Sequence, residues 1–227
     1  MICVCLAGAT GWVGRPLAAA IEESSDLDLV AAVSRRASGN ALMHTSVEEA
    51  LGTPSDVFVD YTSAAAVKSN VLLAIKARRH VVIGSSGLTN DDFAEIDAAA
   101  RAKNVGVIAV GNFAITAALL QRFAVEAAKH LEEFEIIDIA YKEKIDAPSG
   151  TARELAWRLG VDPSKVHSLR LPGYTIGLEV RFGREDERLT LHYDGGPGAK
   201  PYISGTLLAI RRVGEVVGLM RGLDGIL

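Results

Sequence analysis

The sequence is poor in cysteine, in long apolar runs and in clusters of one charge. Its 227 residues include only two cysteines. These are Cys3 and Cys5, which stand two apart on a predicted strand. That spacing suits neither a disulfide nor a metal site, so we interpret them as small buried side chains in a reducing compartment. No apolar run approaches the roughly 20 residues that span a bilayer, and we expect no membrane association.

Charge is also evenly spread. Lys and Arg number 24 against 28 Asp and Glu, which gives a formal net charge of −4. Because nucleic-acid binding needs concentrated Lys and Arg, this balance argues against a nucleic-acid partner. The opening MICVCLAGATGW has no basic stretch and is interrupted by glycines, which does not fit a signal peptide. We therefore expect a soluble, cytoplasmic protein.

Up to about Gly111, short apolar segments alternate with amphipathic ones. Near-continuous apolar strands separated by helices are typical of a parallel sheet covered on both faces. The predicted strands are Ile2–Ala7, Leu27–Val33, Val57–Tyr61, His80–Ile83 and Val105–Val110, and the predicted helices are Trp12–Ser24, Ser46–Leu51, Ala64–Ala77 and Asp91–Lys103. Right-handed crossovers then give a doubly wound α/β sheet of the Rossmann type.

After Asn112 the pattern changes to α+β. Two later strands alternate apolar and polar residues, which predicts an antiparallel or mixed sheet with one face solvated or covered by a partner. The predicted elements here are a helix over Ile115–Leu131 and strands over Phe134–Tyr141, Ile176–Phe182 and Arg188–Tyr193, with a helical tail from Gly205 to Val217. We expect residues 1–111 plus 205–227 to form a dinucleotide-binding domain, and residues 112–204 to form an inserted domain for substrate binding and oligomerisation.

The first predicted strand is followed by a glycine-rich turn, Gly8-Ala9-Thr10-Gly11-Trp12-Val13-Gly14. Glycines at this place allow a sharp turn, close approach of a pyrophosphate and tight packing of helix on sheet. The spacing is G-x-x-G-x-x-G, so the glycines alone would also fit a purely structural turn. Their position between a strand and a helix favours a cofactor site that includes Trp12 and Val13.

The end of the second predicted strand indicates which dinucleotide binds. Folds that select NAD carry an acid about 20 residues after the glycines. Here that place holds Ser34, followed by Arg35 and Arg36. Guanidinium groups pair with a 2′-phosphate, so NADP(H) is favoured, although NAD(H) remains possible because arginine can also stack on adenine. Two solvated arginines at a strand end are the alternative.

Two further loops follow predicted strands at the edge where such sheets bind ligands. Gly84-Ser85-Ser86-Gly87 can bring backbone and hydroxyl groups to a nicotinamide or a substrate. Asn112 and Phe113 stand where the pattern changes, and the amide of Asn112 could bind the nicotinamide carboxamide. Either loop could instead be a simple turn.

The most informative stretch is Lys144-Ile145-Asp146-Ala147-Pro148-Ser149-Gly150-Thr151-Ala152. It places a cation and a hydroxyl-bearing turn just before a predicted helix, Arg153 to Leu159. A helix N-terminus offers free N–H groups and a positive dipole end, so it favours a small anion. Lys144 can bind a carboxylate or donate a proton. Thr151 and Glu154 also fit a capping box, which would explain Thr151 alone.

These motifs resemble the 4-hydroxy-tetrahydrodipicolinate (dihydrodipicolinate) reductase family over nearly the whole chain. The resemblance rests on Gly8–Gly14, Asp60-Tyr61-Thr62, Gly84–Gly87, Asn112-Phe113 and, above all, the Lys144–Ala152 segment. It implies a dinucleotide domain, a sheet domain that forms homotetramers, and reduction of a small anionic cyclic imine dicarboxylate by NAD(P)H in lysine and diaminopimelate biosynthesis.

The resemblance also implies site residues. Those implied for the cofactor are Gly8, Gly11, Val13, Gly14, Arg35, Thr62, Gly84, Ser86, Asn112 and Phe113. Those implied for the substrate carboxylate are Lys144, Ser149, Gly150 and Thr151, and Lys144 is also an implied proton donor.

The chain departs from the family before that lysine. The family pattern is His-His-x-x-Lys, whereas this chain reads Ala140-Tyr141-Lys142-Glu143-Lys144. Ala140 cannot transfer a proton, so Tyr141 and Lys144 become the candidate catalytic residues. The departure leaves two alternatives open, an imine reductase for another carboxylate substrate and a non-catalytic NADP(H)-binding homologue.

Overall fold

The computed structural model describes residues 1–35 and 42–227, and this part of the chain contains two sheets and seven α-helices. The first sheet holds seven strands, all parallel, in the spatial order β11-β6-β5-β4-β1-β2-β3. Its strands are β1 (Ile2–Ala7), β2 (Leu27–Val33), β3 (Met43–His44), β4 (Val57–Asp60), β5 (His80–Ile83), β6 (Gly106–Ala109) and β11 (Gly218–Arg221).

Four helices connect these strands, and a separate apolar cluster lies on each face of the sheet. The helices are α1 (Gly14–Glu22), α2 (Val47–Leu51), α3 (Val67–Lys76) and α4 (Asn90–Lys103). Leu6 and Val59 belong to one cluster and Cys5 and Phe58 to the other, as expected for side chains that alternate along buried strands. The chain reverses its winding direction between β1 and β4, and ligands bind at such a switch point.

The second sheet is mixed and has the order β10-β9-β7-β8. Strand β7 pairs parallel to β8 and antiparallel to β9, which pairs antiparallel to β10. Its strands are β7 (Glu133–Ala140), β8 (His167–Arg170), β9 (Ile176–Arg184) and β10 (Glu187–Gly195), and the remaining helices are α5 (Ile115–Ala128), α6 (Gly150–Arg158) and α7 (Lys200–Arg212). Helix α5 packs on β9 and β10, while α6 packs on β7.

The predicted fold class is confirmed: a doubly wound parallel sheet accompanied by a second, mixed sheet. Strands β1, β2 and β5 have the predicted bounds. The predicted tail helix was wrong at both ends, because α7 begins at Lys200 and the chain then returns to the first sheet as β11. Strands β3, β8 and β11 were missed because these short segments become strands only through pairing with β2, β7 and β6. Both cysteines are free, with Cys5 fully buried.

Among the described residues, no helix is long and apolar enough to cross a membrane.

Candidate active site

Two glycines of the turn after β1, Gly8 and Gly14, leave no room for a side chain. Gly8 has φ +83°, and a Cβ there would lie 2.2 Å from the carbonyl oxygen of Tyr61. A Cβ on Gly14 would lie 2.0 Å from the carbonyl oxygen of Gly8. Helix α1 begins at Gly14 without a side-chain cap, since its N-cap residue is Val13. The turn therefore brings bare backbone and a helix N-terminus together, as binding of a pyrophosphate requires.

The end of strand β2 lies beside the glycine turn. The hydroxyls of Ser34 and Thr10 are 2.8 Å apart, which ties the end of β2 to the glycine turn. Arg35 follows and is exposed, while Arg36 lies outside the described residues. Trp12 is also largely exposed and meets the ring of Tyr202 edge-on at 5.7 Å. The structure thus links Ser34 to the glycine turn that carries Trp12, and Arg35 is the next residue in the chain.

A buried carboxylate, Asp60, organises the loops after β4 and β5. Its Oδ1 accepts hydrogen bonds from the Thr62 hydroxyl at 2.7 Å and the Ser85 hydroxyl at 2.6 Å. Its Oδ2 accepts from the amide of Asn70 at 2.9 Å. Two predicted site hydroxyls are therefore held by one side chain that the sequence analysis did not assign to the site. Ser86, next along, is exposed and free to meet a ligand.

Close packing or a hydrogen bond fixes the remaining three predicted loop residues. A Cβ on Gly84 would lie 2.2 Å from the Tyr61 ring, so only glycine fits there. Asn112 is buried, and its Oδ1 accepts from the backbone N–H of Ala114 at 2.9 Å. The Phe113 ring is buried against Tyr61, with ring centroids 6.0 Å apart. The loops after β1, β4, β5 and β6 thus converge at the carboxyl edge of the sheet.

The Lys144–Ala152 segment forms the N-terminus of α6. Ser149 is the N-cap residue, and its hydroxyl accepts from the N–H of Ala152 at 3.3 Å. The proposed capping box of Thr151 and Glu154 was therefore wrong, because α6 begins two residues earlier than that box requires. Ser149 and Thr151 are buried, whereas Gly150 is partly exposed at the first turn of the helix.

The Lys144 ammonium is already paired within this segment. Its Nζ lies 2.6 Å from Asp146 Oδ1, and Arg153 Nη2 lies 3.9 Å from Asp146 Oδ2. Burial raises the pKa of Asp146, but the hydrogen bond and charge of Lys144, with the charge of Arg153, outweigh it and hold the pKa below its usual range. One protein carboxylate thus lies between two cations.

A buried ion pair holds the Lys144–Ala152 segment in place. Asp138 on β7 is 0% exposed, and its Oδ2 accepts from the N–H of Ser149 at 2.8 Å. Arg170 on β8 donates to the same Oδ2 at 2.6 Å and to the carbonyl of Asp146 at 2.7 Å. The pair therefore fixes both Asp146 and Ser149 at the two ends of the turn that precedes α6.

Glu154 joins α6 to the loop after β6. Its Oε2 accepts a short hydrogen bond from the N–H of Gly111, and a Cβ on Gly111 would lie 2.7 Å from the carbonyl oxygen of Gly150. Burial raises the pKa of Glu154, although the Gly111 hydrogen bond and the charges of Arg158 and Arg221 oppose this. The candidate substrate turn and the candidate nicotinamide loop are therefore in direct contact.

A cleft of ≈ 290 Å³ opens between the segment that follows β5 and helix α6. One wall is the loop from Gly84 to Thr89 with the start of α4 at Asn90, and the other is the face of α6 that carries Gly150, Arg153 and Trp157. Arg221 closes one end, where its guanidinium lies 4.3 Å from the Phe93 ring centroid and 3.9 Å from that of Trp157. The cleft therefore combines backbone, hydroxyl and cationic groups suited to a small anion.

Ala140 and Tyr141, at the positions of the family's two histidines, differ in exposure. Ala140 is fully buried at the end of β7, whereas Tyr141 is 43% exposed. The backbone N–H of Tyr141 donates to the carbonyl of Thr175 at 3.0 Å, so the main chain is held while the side chain stays exposed. Tyr141 is therefore accessible to a ligand, and Ala140 is not.

The sequence analysis missed four charged residues that hold the site: Asp60, Asp138, Glu154 and Arg170. A signal existed for two of them, because Asp60 and Asp138 interrupt apolar strands and an acid in a buried strand needs a partner. The partners of Glu154 and Arg170 come from distant elements, so no local pattern could reveal them.

Both halves of the chain match family models. Residues 2–113 match "Dihydrodipicolinate reductase, N-terminus" and residues 116–227 match "Dihydrodipicolinate reductase, C-terminus". The 4-hydroxy-tetrahydrodipicolinate reductase of Moorella thermoacetica is 33% identical, over 99% of this chain and 97% of that protein. That of Coxiella burnetii is also 33% identical, over 99% and 98% of the two chains.

Solved structures give the same picture. Dipicolinate-bound dihydrodipicolinate reductase from Paenisporosarcina sp. TG-14 superposes with a TM-score of 0.84 at 27% identity and covers all of both chains. Apo scyllo-inositol dehydrogenase from Lactobacillus casei, at 11% identity and a TM-score of 0.71, covers 100% of this chain and 92% of its own, and shares the fold alone.

Proposed function

The chain belongs to the dihydrodipicolinate reductase family, and from this premise we propose that it reduces 4-hydroxy-tetrahydrodipicolinate with NAD(P)H in lysine and diaminopimelate biosynthesis. The observation that carries the proposal is the contact between the two halves of the site. Gly150, at the start of the substrate helix, touches Gly111, at the candidate nicotinamide loop. An anion held at the N-terminus of α6 therefore lies beside the place where a nicotinamide would sit.

The cofactor is NAD(P)H, and the loops at the carboxyl edge of the first sheet would hold it. The tight turn from Gly8 to Gly14 fits the pyrophosphate, because its glycines leave no room for side chains. The proposed contacts to the nicotinamide half come from Thr62, Gly84, Ser85, Ser86, Asn112 and Phe113. When bound, NAD(P)H supplies a hydride to the substrate.

The substrate proposed is a small cyclic dicarboxylate. Lys144, with the turn of Ser149, Gly150 and Thr151, would bind one carboxylate through charge and helix N–H groups. The 4-hydroxy substrate loses its hydroxyl group as water to give a conjugated imine. Reduction of that imine adds one hydride to carbon and one proton, so the site must also supply a proton. Lys144 and the accessible phenol of Tyr141 are the proposed donors, since Ala140 carries no titratable group.

A steady-state assay tests the proposed function. Purified protein, given enzymatically generated 4-hydroxy-tetrahydrodipicolinate and NADPH, is expected to oxidise NADPH with saturation in both reactants, measured as the loss of nicotinamide absorbance. Pyridine-2,6-dicarboxylate, a planar mimic of the substrate, should inhibit competitively with the dicarboxylate substrate. Tight NADPH binding without turnover would contradict the proposal and support a non-catalytic protein. Turnover of other cyclic imines alone would support a different substrate.

We propose a preference for NADPH over NADH, carried by Arg35 and Arg36. Replacing Arg35 with alanine is expected to lower kcat/KM for NADPH about 10-fold or more, as for loss of one charge-assisted contact. The value for NADH should change little, because NADH lacks the 2′-phosphate. The measurement is the ratio of the two kcat/KM values, with Arg122→Ala, an exposed arginine on α5, as the matched control. Equal losses with both cofactors would show that Arg35 does not read the phosphate.

The wider organisation is also proposed. Residues 1–111 with 205–227 would act as the dinucleotide-binding domain, since β11 completes the first sheet. Residues 112–204 would bind substrate and form a cytoplasmic homotetramer. One face of the second sheet carries Glu179, Arg181 and His192, which are at least partly exposed in the monomer and available to a second copy.

A further inference from the structure

Arg153 is the one cation that α6 directs into the cleft. It stands three residues after Gly150 and four before Trp157, so all three share the helix face that forms the cleft wall. The opposite wall holds the exposed hydroxyl of Ser86. The Arg153 side chain is 40% exposed, so a ligand in the cleft can reach it.

The backbone holds the Arg153 guanidinium in place. Its Nη1 donates a short hydrogen bond to the carbonyl of Pro148, in the turn that precedes the helix. Its Nη2 lies 3.9 Å from Asp146, a distance beyond a hydrogen bond. The group is therefore oriented by the same turn that carries Lys144, yet it keeps donors that the protein does not saturate, because a guanidinium has five N–H groups.

The other cations of the site are more fully engaged. Lys144 Nζ is 2.6 Å from Asp146, and the Lys144 side chain is only 17% exposed. Arg221 lies between the Phe93 and Trp157 rings, and burial lowers its pKa. A dianion favours a second positive charge besides the one at Lys144. Of the two arginines that line the cleft, Arg153 is the one whose guanidinium is not held between two aromatic rings.

We infer that Arg153 binds the second carboxylate of a dicarboxylate substrate, while Lys144 and the N-terminus of α6 bind the first. The inference rests on the proposed function and deepens it, because it assigns the recognition of a dicarboxylate over a monocarboxylate to one side chain. Lys144 and Arg153 lie 2.6 Å and 3.9 Å from the same Asp146 carboxylate, so the two cations are close enough to meet the two carboxylates of one small ring.

Two ligands that differ by one carboxylate test the assignment. Pyridine-2,6-dicarboxylate and pyridine-2-carboxylate are titrated by calorimetry against the NADPH-bound protein and its variants. In the wild type, the dicarboxylate should bind more tightly. Arg153→Met should reduce that preference at least tenfold by weakening the dicarboxylate alone, and the KM for the substrate should rise in parallel while kcat changes little. Arg153→Lys should restore part of the preference, because it keeps the charge but loses the planar fork.

Controls separate the possible failures. Lys165→Met removes an exposed cation close to Pro163 at the rim of the cleft, and it should leave the preference unchanged. An unchanged preference in Arg153→Met, with an active wild type, would overturn the assignment and leave the proposed function intact. A wild type that neither binds the dicarboxylate nor turns over would overturn both. Equal weakening of both ligands in Arg153→Met would show that the residue acts on the first carboxylate or on the turn, which also overturns the assignment.

Discussion

Replacing Lys144 with methionine is expected to lower kcat/KM for the dicarboxylate substrate by about 10²- to 10⁴-fold, the range for loss of a proton donor. Three effects combine in this substitution. The substrate carboxylate loses a cation at the N-terminus of α6, and the site loses one of its two candidate proton donors. In addition, Asp146 loses its partner at 2.6 Å and leaves a negative charge facing the substrate. Steady-state kinetics with NADPH measure the loss.

Two further variants serve as a control and as a test of which residue donates the proton. Lys142→Met removes an exposed lysine two residues earlier, and it should keep kcat/KM within a few-fold of the wild type. Tyr141→Phe removes the other candidate donor while keeping the ring. A large loss of kcat in Tyr141→Phe, with a rise only of KM in Lys144→Met, would assign the proton to Tyr141. NADPH affinity should stay the same in all three, because the lysine turn does not line the glycine loop. If Lys144→Met kept both substrate affinity and rate, the proposed site would be wrong.

The sequence predicted the parts of the site whose physics is local. Glycines three apart between a strand and a helix indicate a turn without side chains, and the structure shows why, since a Cβ on Gly14 would lie 2.0 Å from the Gly8 carbonyl oxygen. Near-continuous apolar strands likewise predicted a sheet buried on both faces. These inferences need only neighbours in sequence, so they hold without knowledge of the tertiary structure.

The residues that hold the site in place could not be predicted from the sequence, because their partners are distant in the chain. Glu154 accepts from Gly111, 43 residues earlier, and Arg170 reaches back 32 residues to Asp138. The local pattern predicted a capping box of Thr151 and Glu154, whereas in the structure Glu154 binds the N–H of Gly111. The short strand β11 was missed for the same reason, since its four residues become a strand only by pairing with β6. Tertiary context decided each case.

Among the contacts between distant elements, the buried pair of Asp138 and Arg170 is the one whose loss we expect to destabilise the fold most. Asp138→Asn is expected to lower the free energy of unfolding by about 3–5 kcal/mol, because it leaves the Arg170 charge largely buried without its partner. Arg170→Met should cost a similar amount by stranding the carboxylate. Chemical denaturation, followed by circular dichroism, measures both. Loss of less than about 1 kcal/mol would place the pair among weak surface contacts.

The double variant Asp138→Leu with Arg170→Met separates stability from function. Replacing a buried ion pair by apolar side chains of similar size is often neutral, so stability should largely return. The substrate KM should nevertheless stay at least tenfold raised, because Ser149 N–H loses its acceptor and the Asp146 carbonyl loses its donor. NADPH affinity should remain that of the wild type, since neither residue touches the glycine turn. A double variant with normal KM would mean that the turn holds its shape without the pair, and that the anion site is formed by the helix N-terminus and Lys144 alone.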